Sequence, residues 1–120
     1  MKYNDTLIPW WSVSVGDKEA NSVVKSINNR HIAQGKVTLE FENELAEWLR
    51  VPYVLCTTSG TSALTMACLA SGIGPGSEVI IPNHTAPGTA HSVMVLGAKV
   101  VPIDTKPNKV IMDEELIEGA

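Results

Sequence analysis

At 120 residues and 44% hydrophobic content, the chain can build one domain with a packed core and is too apolar to be disordered. Its net charge of −4, with no basic block, argues against a nucleic-acid partner. No apolar run approaches a membrane span, and none follows Met1–Thr6, so the sequence predicts no signal peptide, no membrane partner and a cytoplasmic setting.

The first residues are polar and then aromatic, Ile8-Pro9-Trp10-Trp11. Pro9 argues against a helix there, and the paired tryptophans must pack on the body of the domain or on a partner chain. Gly16-Asp17 opens a helix, with Asp17 expected at the N-cap and Glu19 adding charge to the first turn. Ala20, Val23, Val24 and Ile27 fall at helical spacing as one apolar stripe, which Asn28-Asn29 ends. A second helix is predicted from about Val37 to Arg50, burying Phe41, Leu45, Trp48 and Leu49. Glu40, Glu42, Glu44 and Glu47 lie off that stripe and read as a solvated acidic face, not as catalytic carboxylates.

Val51-Pro52 separates this N-terminal part, residues 1–50, from an α/β part, residues 51–120. Tyr53-Val54-Leu55-Cys56 is an apolar run that predicts a strand at 53–57, followed by a turn and a helix ending at Ser71-Gly72. Gly72-Ile73-Gly74-Pro75-Gly76 is a turn; it follows a helix and lacks the spacing of a dinucleotide fingerprint. Glu78 to Pro82 reads as a buried strand, Asn83 to Thr89 as a polar loop, and Thr89 to Leu96 as a helix stopped by Gly97. A third strand is predicted at Lys99–Asp104, where Pro102 suits an edge or an end. A turn at Asn108–Met112 precedes a helix from Asp113, which the chain cuts off uncapped. Cys56 and Cys68 fall inside predicted elements and read as small core residues of a reducing compartment.

Strands alternating with helices imply an α/β fold with a mostly parallel sheet and helices on both faces. Ligands of such sheets bind beyond the carboxyl ends of the strands. Three segments lie there: Thr58–Thr61, Asn83–Gly88 and the residues after Asp104. The turn Thr57-Thr58-Ser59-Gly60-Thr61 is made of hydroxyls around one glycine, at the start of a helix. The free N–H groups and partial positive charge there suit an anion, most often a phosphate. The same residues would also serve as an ordinary capped helix, with Ser59 or Thr58 satisfying the donors. Two polar, small-residue loops at the same sheet end favour the ligand site.

In order and spacing, these pieces resemble the DegT/StrS-type aminotransferases, pyridoxal-phosphate enzymes of fold-type I that act on nucleotide-linked keto-sugars. The resemblance runs through Ile8-Pro9, Gln34-Gly35, Phe41-Glu42-Asn43-Glu44-Leu45-Ala46 and Thr58-Ser59-Gly60-Thr61-Ser62-Ala63-Leu64. It continues through Gly72 to Pro82 ("GIGPG-EVI-P"), Gly97 to Asp104 ("GA-PV-VD") and the ending Met112 to Ala120. It implies the N-terminal part of a fold-type I large domain, with Gly60 and Thr61 on the cofactor phosphate and Ser59 shaping the turn. The family's ring-stacking aromatic corresponds to Ala86 here, and His84 is the nearby flat side chain. The Schiff-base lysine is implied to lie beyond residue 120, because Lys2, Lys18, Lys25, Lys36, Lys99, Lys106 and Lys109 sit in no matching motif. The implied partners are a nucleotide-sugar substrate, an amino donor and, in the full-length protein, a second copy of the chain. A sugar dehydratase of the same family is one alternative. A non-catalytic phosphate- or partner-binding α/β domain is another. The resemblance also implies that the strand at 53–57 stands apart from the pair at 78–82 and 99–104.

Overall fold

The computed structural model describes residues 2–3, 6–7, 9 and 12–120, so Ile8, Trp10 and Trp11 lie outside the described residues. The chain divides into two compact units, residues 1–54 and 55–120.

In the first unit, β1 (Lys2–Tyr3) pairs antiparallel with β2 (Thr6–Leu7), Lys2 opposite Leu7. Two helices follow, α1 (Asp17–Asn28) and α2 (Lys36–Leu49). The N-cap of α1 is Gly16, not Asp17: the extended backbone belongs to Gly16, and Asp17 is already in the first turn. Glu19 turns back so that its carboxylate accepts the Gly16 N–H at 2.7 Å, which ties off a helix donor. That bond holds the Glu19 carboxyl below its ordinary value.

The two apolar stripes are on the helices as expected, but they are not buried. Val23, Val24 and Ile27 of α1 are exposed, as are Phe41, Leu49 and Trp48 of α2, the last at 78%. Periodicity fixes which face is apolar; burial also needs a second surface, and no described element of this unit supplies one. Glu40, Glu44 and Glu47 are exposed, and Lys36 lies 3.7 Å from Glu40 one turn along the helix.

The second unit holds α3 (Gly60–Ala70), β3 (Glu78–Pro82), α4 (Pro87–Met94), β4 (Lys99–Ile103) and a short 3-10 helix (Glu114–Gly119). Residues 53–57 form no strand. A strand exists only where its backbone groups pair with another, and among the described residues no strand lies beside this segment. The sheet is therefore the parallel pair β3–β4, in register from Glu78–Lys99 through Ile81–Pro102 to Pro82–Ile103. An ion pair at 2.6 Å joins the side chains of the first of these pairs. The last helix is 3-10 instead of α, with Asp113 as its cap through the Glu115 N–H.

Helix α4 crosses between β3 and β4 and packs on both, while α3 packs on α4. The core of the unit is Ile81, Val93, Ala98 and Ile103. Ile81 is 6% exposed and its neighbour Ile80, which strand alternation puts on the opposite face, is 38% exposed. Ser92 is buried without penalty because its hydroxyl donates to the Thr89 carbonyl at 2.7 Å. Helix α3 ends in a paired cap, with Ile73 N–H on Cys68 and Gly72 N–H on Leu69, both at 3.0 Å. Gly97, at φ +75°, makes the left-handed turn from α4 into β4, and an added Cβ there would press on Pro75 Cγ at 3.2 Å.

Candidate functional site

The site is assembled from the starts of α3 and α4. Ser59 is the N-cap of α3, extended in backbone, and its hydroxyl accepts the Ser62 N–H at 3.1 Å. The first intrahelical bond runs from Ala63 N–H to the Ser59 carbonyl at 3.0 Å. The neighbouring hydroxyls engage one another: Thr58 with Ser62 at 3.2 Å, Ser59 with Ser62 at 3.0 Å, and Thr57 onto the Ser59 carbonyl at 2.9 Å.

Capping thus satisfies one helix donor and leaves others free. Among the described residues the N–H groups of Gly60 and Thr61 and the Thr61 hydroxyl make no hydrogen bond. They sit where the helix field is positive. A Cβ built on Gly60 meets no atom within 4 Å, so the space in front of that backbone is open. Three donors around open space can hold the oxygens of an anion.

The second expected segment reaches the first at Gly88. The loop Asn83–Ala86 leaves β3 and hands over to α4, whose N-cap is Ala86 and whose first residue is Pro87. Thr85 and Thr89 share a hydroxyl hydrogen bond at 2.9 Å across this turn. Gly88, the second residue of α4, lies against the Thr61 side chain: a Cβ there would overlap Oγ1 and stand 3.5 Å from Thr61 Cβ. The amino ends of α3 and α4 therefore meet at Thr61 and Gly88. His84 and Ala86 are exposed on the loop between.

The segment after Asp104 spends its polar groups on itself. Asp104 accepts the Thr105 N–H at 2.8 Å on its carboxylate and the Asp113 N–H at 2.9 Å on its carbonyl. Thr105 bridges Met112, and the Lys106 ammonium is bonded to Glu114. Lys106 holds the Glu114 carboxyl below its ordinary value. The described residues contain no group of His, Cys, Asp and Glu able to hold a metal. None of their helices is long and apolar enough to cross a membrane.

Sequence reasoning missed the role of Gly88. The sequence placed Gly88 in a loop ending at Thr89, whereas α4 starts two residues earlier, at Pro87; proline is favoured at a first helical position, and a glycine directly after it is the signal of a packing demand.

The model of the DegT/DnrJ/EryC1/StrS aminotransferase family matches residues 13–120. Over 106 residues, 88% of the chain, it is 34% identical to the UDP-2-acetamido-2-deoxy-3-oxo-D-glucuronate aminotransferase of Pseudomonas aeruginosa. Over 71% of the chain it is 38% identical to the GDP-perosamine synthase of Caulobacter vibrioides. The chain spans 30% and 23% of the lengths of these two relatives. A solved structure from Streptococcus pneumoniae, named as a sugar aminotransferase in its PLP form, superposes with a TM-score of 0.84 at 30% identity. That match covers 94% of this chain and 29% of the other.

Proposed function

The chain belongs to the DegT/DnrJ/EryC1/StrS aminotransferase family, and on that premise we propose that it supplies the phosphate-holding part of a pyridoxal 5'-phosphate site in a sugar aminotransferase. The substrate is a keto-sugar carried on a nucleotide, and an amino donor supplies the nitrogen. The observation that carries this is the meeting of α3 and α4 at Thr61 and Gly88, where the Gly60 and Thr61 N–H groups and the Thr61 hydroxyl have no hydrogen-bond partner among the described residues.

These residues fit a phosphate monoester. The two N–H groups and the hydroxyl can each take a phosphate oxygen, and the positive end of α3 balances the dianion. Ser59 keeps the turn in shape by capping Ser62, which leaves the next donors for the ligand. His84 and Ala86, on the loop into α4, are assigned to the ring. Ala86 offers only a methyl group, so flat contact from this loop falls to His84. Bound there, the cofactor supplies the electron sink for amino transfer.

The lysine that would hold the cofactor belongs, in this reading, to sequence beyond residue 120. Lys36, Lys99 and Lys106 are each engaged by a glutamate, which suits structural roles for them. The protein works as a homodimer in the cytoplasm, where a cysteine such as Cys68 stays reduced.

Titration of the intact protein with pyridoxal phosphate and with phosphate-free pyridoxal tests the site. Tight binding of the first and weak binding of the second is expected; equal affinity overturns the phosphate assignment. Incubation of the loaded protein with a nucleotide-linked keto-sugar and glutamate tests the reaction by mass spectrometry. Gain of an amino group is expected. Loss of water without gain of nitrogen would make the protein a dehydratase instead.

A further inference from the structure

Thr61 is half-buried at the second position of α3, and its hydroxyl points at Gly88 of α4. A Cβ at Gly88 would overlap Oγ1, and it would stand 3.5 Å from Cβ and 3.6 Å from Cγ2, both ordinary contacts. The conflict is thus with the hydroxyl alone. We propose that Gly88 is a positioning residue: by carrying no Cβ it leaves room for the present side-chain rotamer of Thr61, and so lets its hydroxyl donate where it does. The inference rests on the phosphate assignment above.

The physical basis is the discreteness of χ1. A threonine side chain occupies staggered wells about 120° apart, so it answers an overlap by hopping and not by sliding. A hop carries Oγ1 by about 2 Å, which takes it out of hydrogen-bond range of a phosphate oxygen held by the Gly60 and Thr61 N–H groups. The backbone donors stay where they are. Gly88 therefore controls one of three donors without touching the ligand. Leaving a glycine in the first turn of α4 costs helix stability, and the orientation of Thr61 is what that cost secures.

A double-mutant cycle on the intact protein separates this role from a general packing effect. Wild type, Gly88→Ala, Thr61→Ala and the double variant are compared by thermal unfolding without ligand and by titration with pyridoxal phosphate and with pyridoxal. Gly88→Ala is expected to weaken pyridoxal phosphate binding about tenfold, as Thr61→Ala does, with the double variant no worse than either. Pyridoxal affinity is expected to stay within twofold. Without ligand, Gly88→Ala is expected to lower the melting temperature beside Thr61 and to raise it in the Thr61→Ala background, where helix propensity alone acts. A Gly88→Ala variant that binds like wild type overturns the proposal. So does a Gly88→Ala loss that persists undiminished in the Thr61→Ala background. Failure of the wild type to bind pyridoxal phosphate would instead overturn the function itself. In that case the unfolding cycle still decides whether the two residues are sterically coupled.

Discussion

Asn83 donates its backbone N–H to the Ile103 carbonyl at 2.7 Å, one residue past the end of β3. This last rung ties the start of the site loop to the sheet. Asn83→Pro deletes the donor and is expected to destabilise the second unit by about 1 kcal/mol, the net value of one such bond. Amide exchange at Thr85 and Ala86 should quicken with it. Unchanged exchange there would show that the loop is held by something else, such as the Thr85–Thr89 pair.

Gly60 gives a variant in which folding and binding come apart. An added Cβ meets no atom within 4 Å beyond its chain neighbours and its own helix backbone, and the residue does not lie in the left-handed region. Gly60→Val should therefore change unfolding free energy by no more than about 0.5 kcal/mol. In the proposed site the same side chain would crowd the phosphate beside the Gly60 N–H, so cofactor binding should be lost. Thr61→Ala should weaken binding by roughly 1–2 kcal/mol, the scale of one hydrogen bond to a charged group. Absorbance titration reads both. Wild-type affinity in Gly60→Val would remove Gly60 from the site.

Val93 and Gly97 hold the unit that carries the site. Val93 is 2% exposed, and Val93→Ala removes buried methyl groups and leaves a cavity, at an expected cost of roughly 2 kcal/mol. Gly97→Ala forces a side chain into the left-handed region and against Pro75, for roughly 1–2 kcal/mol. Denaturant midpoints compared with a surface control such as Lys109→Ala measure both.

Glu19 makes the first turn of α1 sensitive to acid. Its folded-state pKa is lowered, chiefly by the Gly16 N–H, so the carboxylate binds its proton less readily in the helix than in the unfolded chain. The stability it adds is complete above the unfolded-state value and is lost as pH falls through the lower folded-state one. Helical shifts of residues 17–20 should therefore fade only as pH falls below the ordinary carboxylate range. Glu19→Gln should remove that pH dependence while leaving a weaker cap. An acid transition of the same size in the Gln variant would assign it to another group.

Hydrogen exchange should divide the second half of the chain sharply. The amides of residues 79–81, 100, 101 and 103 lie in the parallel pair and should be protected in the alternating pattern of their ladder bonds. Residues 53–57 form no strand and should exchange orders of magnitude faster. Comparable protection would mean that the segment has found a partner strand.

Legibility in the sequence followed from how local each signal is. The ends of α3 and β3 and the start of β4 came from Ser71-Gly72, Pro82 and Gly97, and each of those signals acts within a few residues. The strand expected at 53–57 failed because a strand is a relationship: Tyr53-Val54-Leu55-Cys56 has the composition, but among the described residues no strand pairs with it. Trp48 and Phe41 failed in the same way, since period names a face and not what covers it. In the site, the capping hydroxyls and Gly60 were readable from one short stretch. The Thr61–Gly88 contact joins residues that only tertiary packing brings together, and a lone glycine after Pro87 is a faint sign of it.

Pro102 carries a consequence for how the sheet meets other chains. Lys99 donates to Ser77 at 2.9 Å and Ile103 accepts from Asn83, so alternate residues of β4 turn their backbone toward β3. Val100 and Pro102 then face the opposite edge, and Pro102 has no N–H to offer there. A foreign strand adding along that edge would find Val100 as the one donor of β4 and a pyrrolidine ring where the next should be. The edge is thereby closed to unspecific templating, the route by which exposed strands seed aggregates. Pro102→Val would restore a regular edge and should shorten the lag time of aggregation at fixed concentration. Pro102 thus acts as a gatekeeper written into the strand.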